Sequence, residues 1–80
     1  MCFELHDTVR IVKLIEPERS VDGSAPRPPQ PRVGETGAVV ECLGRDLYLV
    51  ESVTADGFTR WMAEFMAAEL ELVARPIFDG

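Results

Sequence analysis

His6 is the single histidine of the chain, and cysteine occurs only as Cys2 and Cys42. General acid–base and nucleophilic chemistry at neutral pH draws on such groups set beside an orienting partner. One imidazole supplies neither a histidine-based triad nor a multi-histidine metal site within one chain. Flanked by Leu5 and Asp7, His6 reads as a surface or capping side chain. A reactive thiolate needs electropositive surroundings. Cys42 follows Glu41 in an acidic setting, which predicts a buried structural cysteine. Cys2, near the chain end, is open to oxidation or cross-linking. No CxxC spacing accompanies either residue, so two reduced thiols are expected rather than a bridge.

Carboxylates are the next candidates. Glu64, Glu69 and Glu71 lie close in sequence and suggest a cation site or an acid–base pair. Hard cations want several convergent oxygens, usually from a tight Asp/Asn/Gly loop. These three come from a strand and a turn without such a loop, so a solvated acidic rim is the favoured reading. Trp61, Tyr48, Phe58 and Phe65 could stack bases or prolines, as aromatics do on small β-barrels. Trp61, Ala63 and Phe65 recur at period two, which fits a core face instead, while Tyr48 and Phe58 remain open. No catalytic, metal-ligating or cofactor-binding set is assigned.

The elements that position these residues are predicted to be strands. Asp7–Ile15 is rich in β-branched residues and has a polar start at Asp7-Thr8. Neither alternate set along it is cleanly apolar, which predicts partial cover on both faces. Residues 16–32 carry five prolines among Ser, Gly and Arg. Proline removes donors and fixes φ, so helix and inner strand are excluded there. A long loop results, either a tolerated surface insertion or a docking segment for SH3-type grooves at Arg27-Pro28-Pro29-Gln30-Pro31-Arg32.

The organising stretch is Val33–Glu41. Gly34 and Gly37 allow positive φ or close backbone approach, and Ala38–Leu43 then reads as a strand. Gly44-Arg45-Asp46 closes a hairpin onto Leu47–Val53. Ala55-Asp56-Gly57 turns the chain again into Phe58–Phe65. Met66–Leu70 has helical composition but the length of a single turn. Glu71–Ala74 forms a short last strand, Pro76 ends it, and an apolar tail follows to Gly80. The fold class is therefore all-β: one domain over residues 1–80, a small five-stranded SH3-like barrel with the long Pro-rich loop after its first strand.

Length and charge bound the function. Eighty residues, 46% of them apolar, make one core near the lower end of independent folding. Such a core holds about 3–5 kcal/mol without staples. Fourteen acidic against eight basic side chains give a net charge of −6, which repels phosphate backbones and favours basic partners. The basic residues are scattered. The N-terminus lacks the pattern of a secretory signal, and no apolar run approaches the ~20 residues of a membrane span. A soluble cytoplasmic protein is expected.

Several features recur together: Asp7-Thr8-Val9, Gly34-x-x-Gly37-x-Val39-Val40-Glu41, Tyr48-Leu49-Val50, the Asp56-Gly57 turn and Glu69-Leu70-Glu71-Leu72-Val73. In this combination the chain resembles a family of short bacterial proteins of unassigned function with an SH3-like barrel, related in pattern to KOW modules. The glycine turn before a Val-rich strand is also similar to the SH3-like domain of nitrile hydratase β subunits. The resemblance covers residues 5–15 and 33–74 and brings no catalytic residues. Loop 16–32 is longer than the resemblance leads one to expect, and the acidic charge departs from nucleic-acid-binding KOW modules.

In the strand at 47–53, large apolar groups occupy both faces. A lone small barrel leaves one strand face wet, so the loop and tail, a second copy or another protein must cover it. The expected function is a non-enzymatic acidic protein-interaction module, immunity- or antitoxin-like in its specific version. Its interface would use Leu47, Leu49, Val53, Glu41, Glu51, Glu64 and Glu69, on a frame turned at Gly34, Gly37, Gly44 and Gly57. The alternatives are a KOW-like nucleic-acid or ribosome-associated module and an accessory domain of a metalloenzyme.

Overall fold

The computed structural model describes residues 2–77. Five antiparallel strands form one sheet: β1 Thr8–Ile11, β2 Thr36–Gly44, β3 Leu47–Val53, β4 Thr59–Met66 and β5 Leu70–Ala74. Their order across the sheet is β4-β3-β2-β1-β5. β4 and β5 are thus opposite edges, yet only the 3₁₀ turn Ala67–Glu69 joins them in the chain. Four strand spacings in a flat sheet would separate the edges by roughly 19 Å. A 3₁₀ turn advances only about 2 Å per residue, so the sheet must curl. Among the described residues no ladder links β4 to β5.

The inner face follows the period-two pattern. Val9 and Ile11 from β1, Val39 from β2, Tyr48 and Val50 from β3, and Trp61, Ala63 and Phe65 from β4 are all buried. Phe3 and Leu70 complete the core. Aromatic burial dominates such a small interior. The Phe3 and Tyr48 rings meet edge to face at 5.3 Å, and the Phe3 amide donates to the Tyr48 hydroxyl at 3.1 Å. Trp61 and Phe65 pack at 5.6 Å. Tyr48, Trp61 and Phe65 are core, and among the described aromatics only Phe58 is exposed.

β1 is shorter than the predicted Asp7–Ile15. Ile11 is hydrogen-bonded to the Gly34-Glu35 turn, and the next amide, Val12, donates instead to the Glu69 carbonyl at 2.8 Å. Beyond Ile11 the chain leaves the ladder, and Val12 and Ile15 are exposed. Within β1 only Val9 and Ile11 are buried, so one face is covered rather than both.

Loop 16–32 is bound to the sheet. Asp22 and Met62 exchange backbone hydrogen bonds at 3.0 and 2.8 Å, and the Ser24 amide donates to the Thr59 carbonyl at 2.9 Å. The loop therefore occupies the outer edge of β4, which would otherwise present unpaired backbone groups. Pro31 is fully buried and the Gln30 side chain is tied to the Arg19 backbone in both directions. A proline-groove ligand needs those residues free, so the structure counts against the docking segment at 27–32.

Two glycines of the organising turn have different tasks. Gly34 carries φ +96, while Gly37 has ordinary φ and a backbone neighbour where a Cβ would stand. At the β2–β3 turn the left-handed residue is Asp46, φ 60, and Gly44 faces open space. Gly57 closes the β3–β4 turn at φ +88. Cys42 is exposed, as is Cys2, and neither is bridged, which corrects the predicted burial of Cys42. The irregularity after Val39 sets Cys42 opposite the core residue Tyr48, but it lies in the last four residues of β2, all of which are exposed. Of the apolar tail, Ile77 is 90% exposed, and residues 78–80 lie outside those described.

Candidate functional site

The outer face of β2, β3 and β4 gathers most of the residues singled out above. In the strand register Leu49 stands opposite Glu41 on one side and Glu64 on the other. The row on one side of it places Leu47 against Met66, and the row on the other side places Glu51 between Ala38 and Met62. Directly opposed side chains lie about 4.5–5.5 Å apart at Cβ and act as one surface. Glu41 and Glu64 are exposed, Leu47 and Leu49 are half-buried, and Met66 is exposed. The result is an apolar strip between two carboxylates. Neither Glu41 nor Glu64 has an ion-pair partner among the described residues.

Three expected site residues do not join the Leu49 row. Glu51 is half-buried and accepts the Thr59 hydroxyl at 2.5 Å, so its carboxylate is already engaged. Val53 is exposed at the far end of β3, beside a shallow depression lined by Gly34, Glu35, Gly37 and Arg60. Glu69 is not on a solvated rim. Its side chain is 2% exposed, and it ion-pairs with Arg19 at 2.6 Å.

Glu69 is buried because four donors converge on it. Arg19 donates from both terminal nitrogens, and the amides of Met66 and Ile15 donate at 2.9 Å each. Burial pushes the Glu69 carboxyl up. The Arg19 guanidinium and the two amides outweigh that, and its pKa lies below the ordinary glutamate value. The same guanidinium caps the carbonyls of Glu64 and Glu16 at 2.8 and 2.7 Å and lies 4.4 Å from the Phe65 ring centroid. Arg19 thus adds a side-chain anchor to the backbone bonds of Asp22 and Ser24 that hold the proline loop on the sheet. Its partner is 50 positions away, and no local spacing marks it.

A second clasp closes the N-terminal end. Arg75 donates to both oxygens of the fully buried Asp7, at 2.9 and 2.8 Å, and reaches Glu4 at 3.0 Å. Hydrogen bonding from Arg75 holds the Asp7 carboxyl below its usual range despite burial, with help from the Glu4 amide. His6 sits in this turn at φ 73 and is exposed. Its neighbours make a structural turn rather than a proton-transfer pair.

Among the described residues no group of three His, Cys, Asp or Glu side chains could hold a metal ion, and no helix is long and apolar enough to cross a membrane. No protein-family model, curated protein or solved structure matches the chain.

Proposed function

We propose that the chain is a non-enzymatic interaction module whose outer β2–β3–β4 face binds a basic protein. The observation that carries this reading is the row Glu41–Leu49–Glu64, two unpaired carboxylates in register on either side of a half-buried leucine. Apolar contact of this kind supplies affinity, and the flanking charges supply approach rate and orientation. A net charge of −6 acts in the same direction at longer range. An immunity- or antitoxin-like role, neutralising a basic toxin in the cytoplasm, is the specific form of the proposal.

The frame is an SH3-like barrel. The curled five-strand order, the long loop between β1 and β2 and the 3₁₀ turn between β4 and β5 support that assignment. Barrels of this type host many functions, so the binding face and not the fold bears the argument.

The test is affinity capture from native lysate with the wild-type chain and with Leu49→Lys, washed at low and high salt. One stoichiometric basic protein retained by the wild type and lost by the variant is the expected result. Capture of RNA or ribosomal proteins that wash off at high salt would replace this reading with the nucleic-acid one. Equal capture by both chains would remove the face from the interface.

A further inference from the structure

At one end of the outer face, loop 16–32 and β4 enclose a cleft of about 150 Å³. Ile15, Leu47 and Met66 form its apolar wall, and Ile15 and Met66 are both exposed. Glu16 and Glu64 stand at its mouth, exposed and without ion-pair partners among the described residues. The buried Arg19–Glu69 pair forms the floor.

Arg19 brings these two glutamates to one cleft. Its two terminal nitrogens cap the carbonyls of Glu64 and Glu16, so one planar guanidinium fixes both backbones side by side. Its own charge is matched by Glu69 beneath it. The cleft therefore presents two uncompensated negative charges over an apolar wall. Drug-sized ligands occupy pockets of about 300–1,000 Å³, which is larger than this cleft. A long side chain with an aliphatic stem and a cationic head matches both the wall and the mouth.

We infer that the cleft between Ile15, Leu47, Met66, Glu16 and Glu64 receives an arginine or lysine side chain projected by the basic partner. This assignment rests on the proposed binding of a basic protein and names the feature of that partner which the site reads. Arginine is the better occupant, because its planar fork can meet two carboxylates at once.

The experiment is an amide chemical-shift titration of the wild-type chain at low salt with a capped Leu-Arg-Leu peptide and its Leu-Gln-Leu analogue. The arginine peptide is expected to move Ile15, Glu16, Glu64 and Met66 saturably, and the glutamine peptide to leave them still. The double variant Glu16→Gln, Glu64→Gln, with both changes on exposed side chains, should weaken the interaction roughly three- to tenfold. Unaltered affinity in that variant overturns the cleft, as does equal binding of the glutamine peptide. Saturable shifts centred on Glu41 and Leu49 also overturn it, while leaving the basic-partner reading intact. Absence of saturable shifts anywhere overturns the cleft, and combined with failed lysate capture it removes both.

Discussion

The Arg19 guanidinium meets the Glu69 carboxylate at 2.6 Å with 7% and 2% of the two side chains exposed. This contact joins the proline loop to the turn between β4 and β5. It is also the only described ion pair in which both partners are buried. Isolated surface pairs contribute little, whereas removing one member of a buried pair strands the other charge.

Arg19→Met should therefore cost about 3–5 kcal/mol, most of what a domain of this size holds. Adding Glu69→Gln to Arg19→Met should recover part of that loss, since the amide oxygen still accepts from Met66 or Ile15 without a stranded charge. Urea unfolding followed by Trp61, the single buried indole, measures both. A double variant no more stable than Arg19→Met would show that charge burial is not the cost. Hydrogen exchange separates local from global loss. The Asp22 and Ser24 amides, protected in the wild type by Met62 and Thr59, should exchange first when Arg19 is removed.

Acid should weaken the fold through Asp7 and Glu69. Both carboxyls bind protons less tightly folded than unfolded. The stability they contribute is fully present above the unfolded value, about pH 4, and is lost as pH falls through the lower folded value. The urea midpoint should be flat near neutrality and fall below about pH 4. Asp7→Asn should lower the midpoint at pH 7 and reduce its further fall at pH 3. Parallel pH curves for wild type and Asp7→Asn would remove Asp7 from this account.

Much of the frame was legible because it is local. Trp61, Ala63 and Phe65 alternate, Asp56-Gly57 marks a turn, and Gly34 takes the left-handed backbone its position suggested. The apolar outer residues of β3 were legible for the same reason, since period two puts Leu47 and Leu49 opposite Tyr48 and Val50. Glu69 was misplaced because burial of a carboxylate depends on donors brought from elsewhere. Arg19 reaches it across 50 positions and Ile15 across 54. The row Glu41–Leu49–Glu64 depends on register, which irregularities in the β2–β3 ladder shift in a way no alternation pattern records.

His6 adopts φ 73 in the turn between Glu4 and Asp7. That conformation costs an L-residue about 1–2 kcal/mol, and the exposed imidazole makes no hydrogen bond among the described residues to offset it. His6→Gly relieves the strain but adds about 0.4–1 kcal/mol of unfolded-state freedom. A net gain of up to ~1.6 kcal/mol is expected in urea unfolding. A destabilised variant would mean that the imidazole makes a stabilising contact in the turn.

Gly37 and Gly44 lie on the same strand and should respond oppositely to alanine. A Cβ at Gly37 would stand 2.7 Å from the Glu51 carbonyl oxygen and 2.8 Å from Val50 Cγ1. The first of these is backbone of the neighbouring strand and cannot rotate away. Gly37→Ala must push β2 from β3, at about 1–3 kcal/mol. At Gly44 there is open space and no left-handed backbone, so alanine there should stabilise by about 0.4–1 kcal/mol through the unfolded chain. Because Glu51 lies two residues from Leu49, Gly37→Ala should also disturb the outer face, and the two amide spectra would reveal it. Shifts confined to residues around Gly37, with Leu49 and Glu64 unmoved, would show that the binding face is insulated from the turn. Equal stability of the two variants would contradict the close approach of β2 to β3 on which this difference depends.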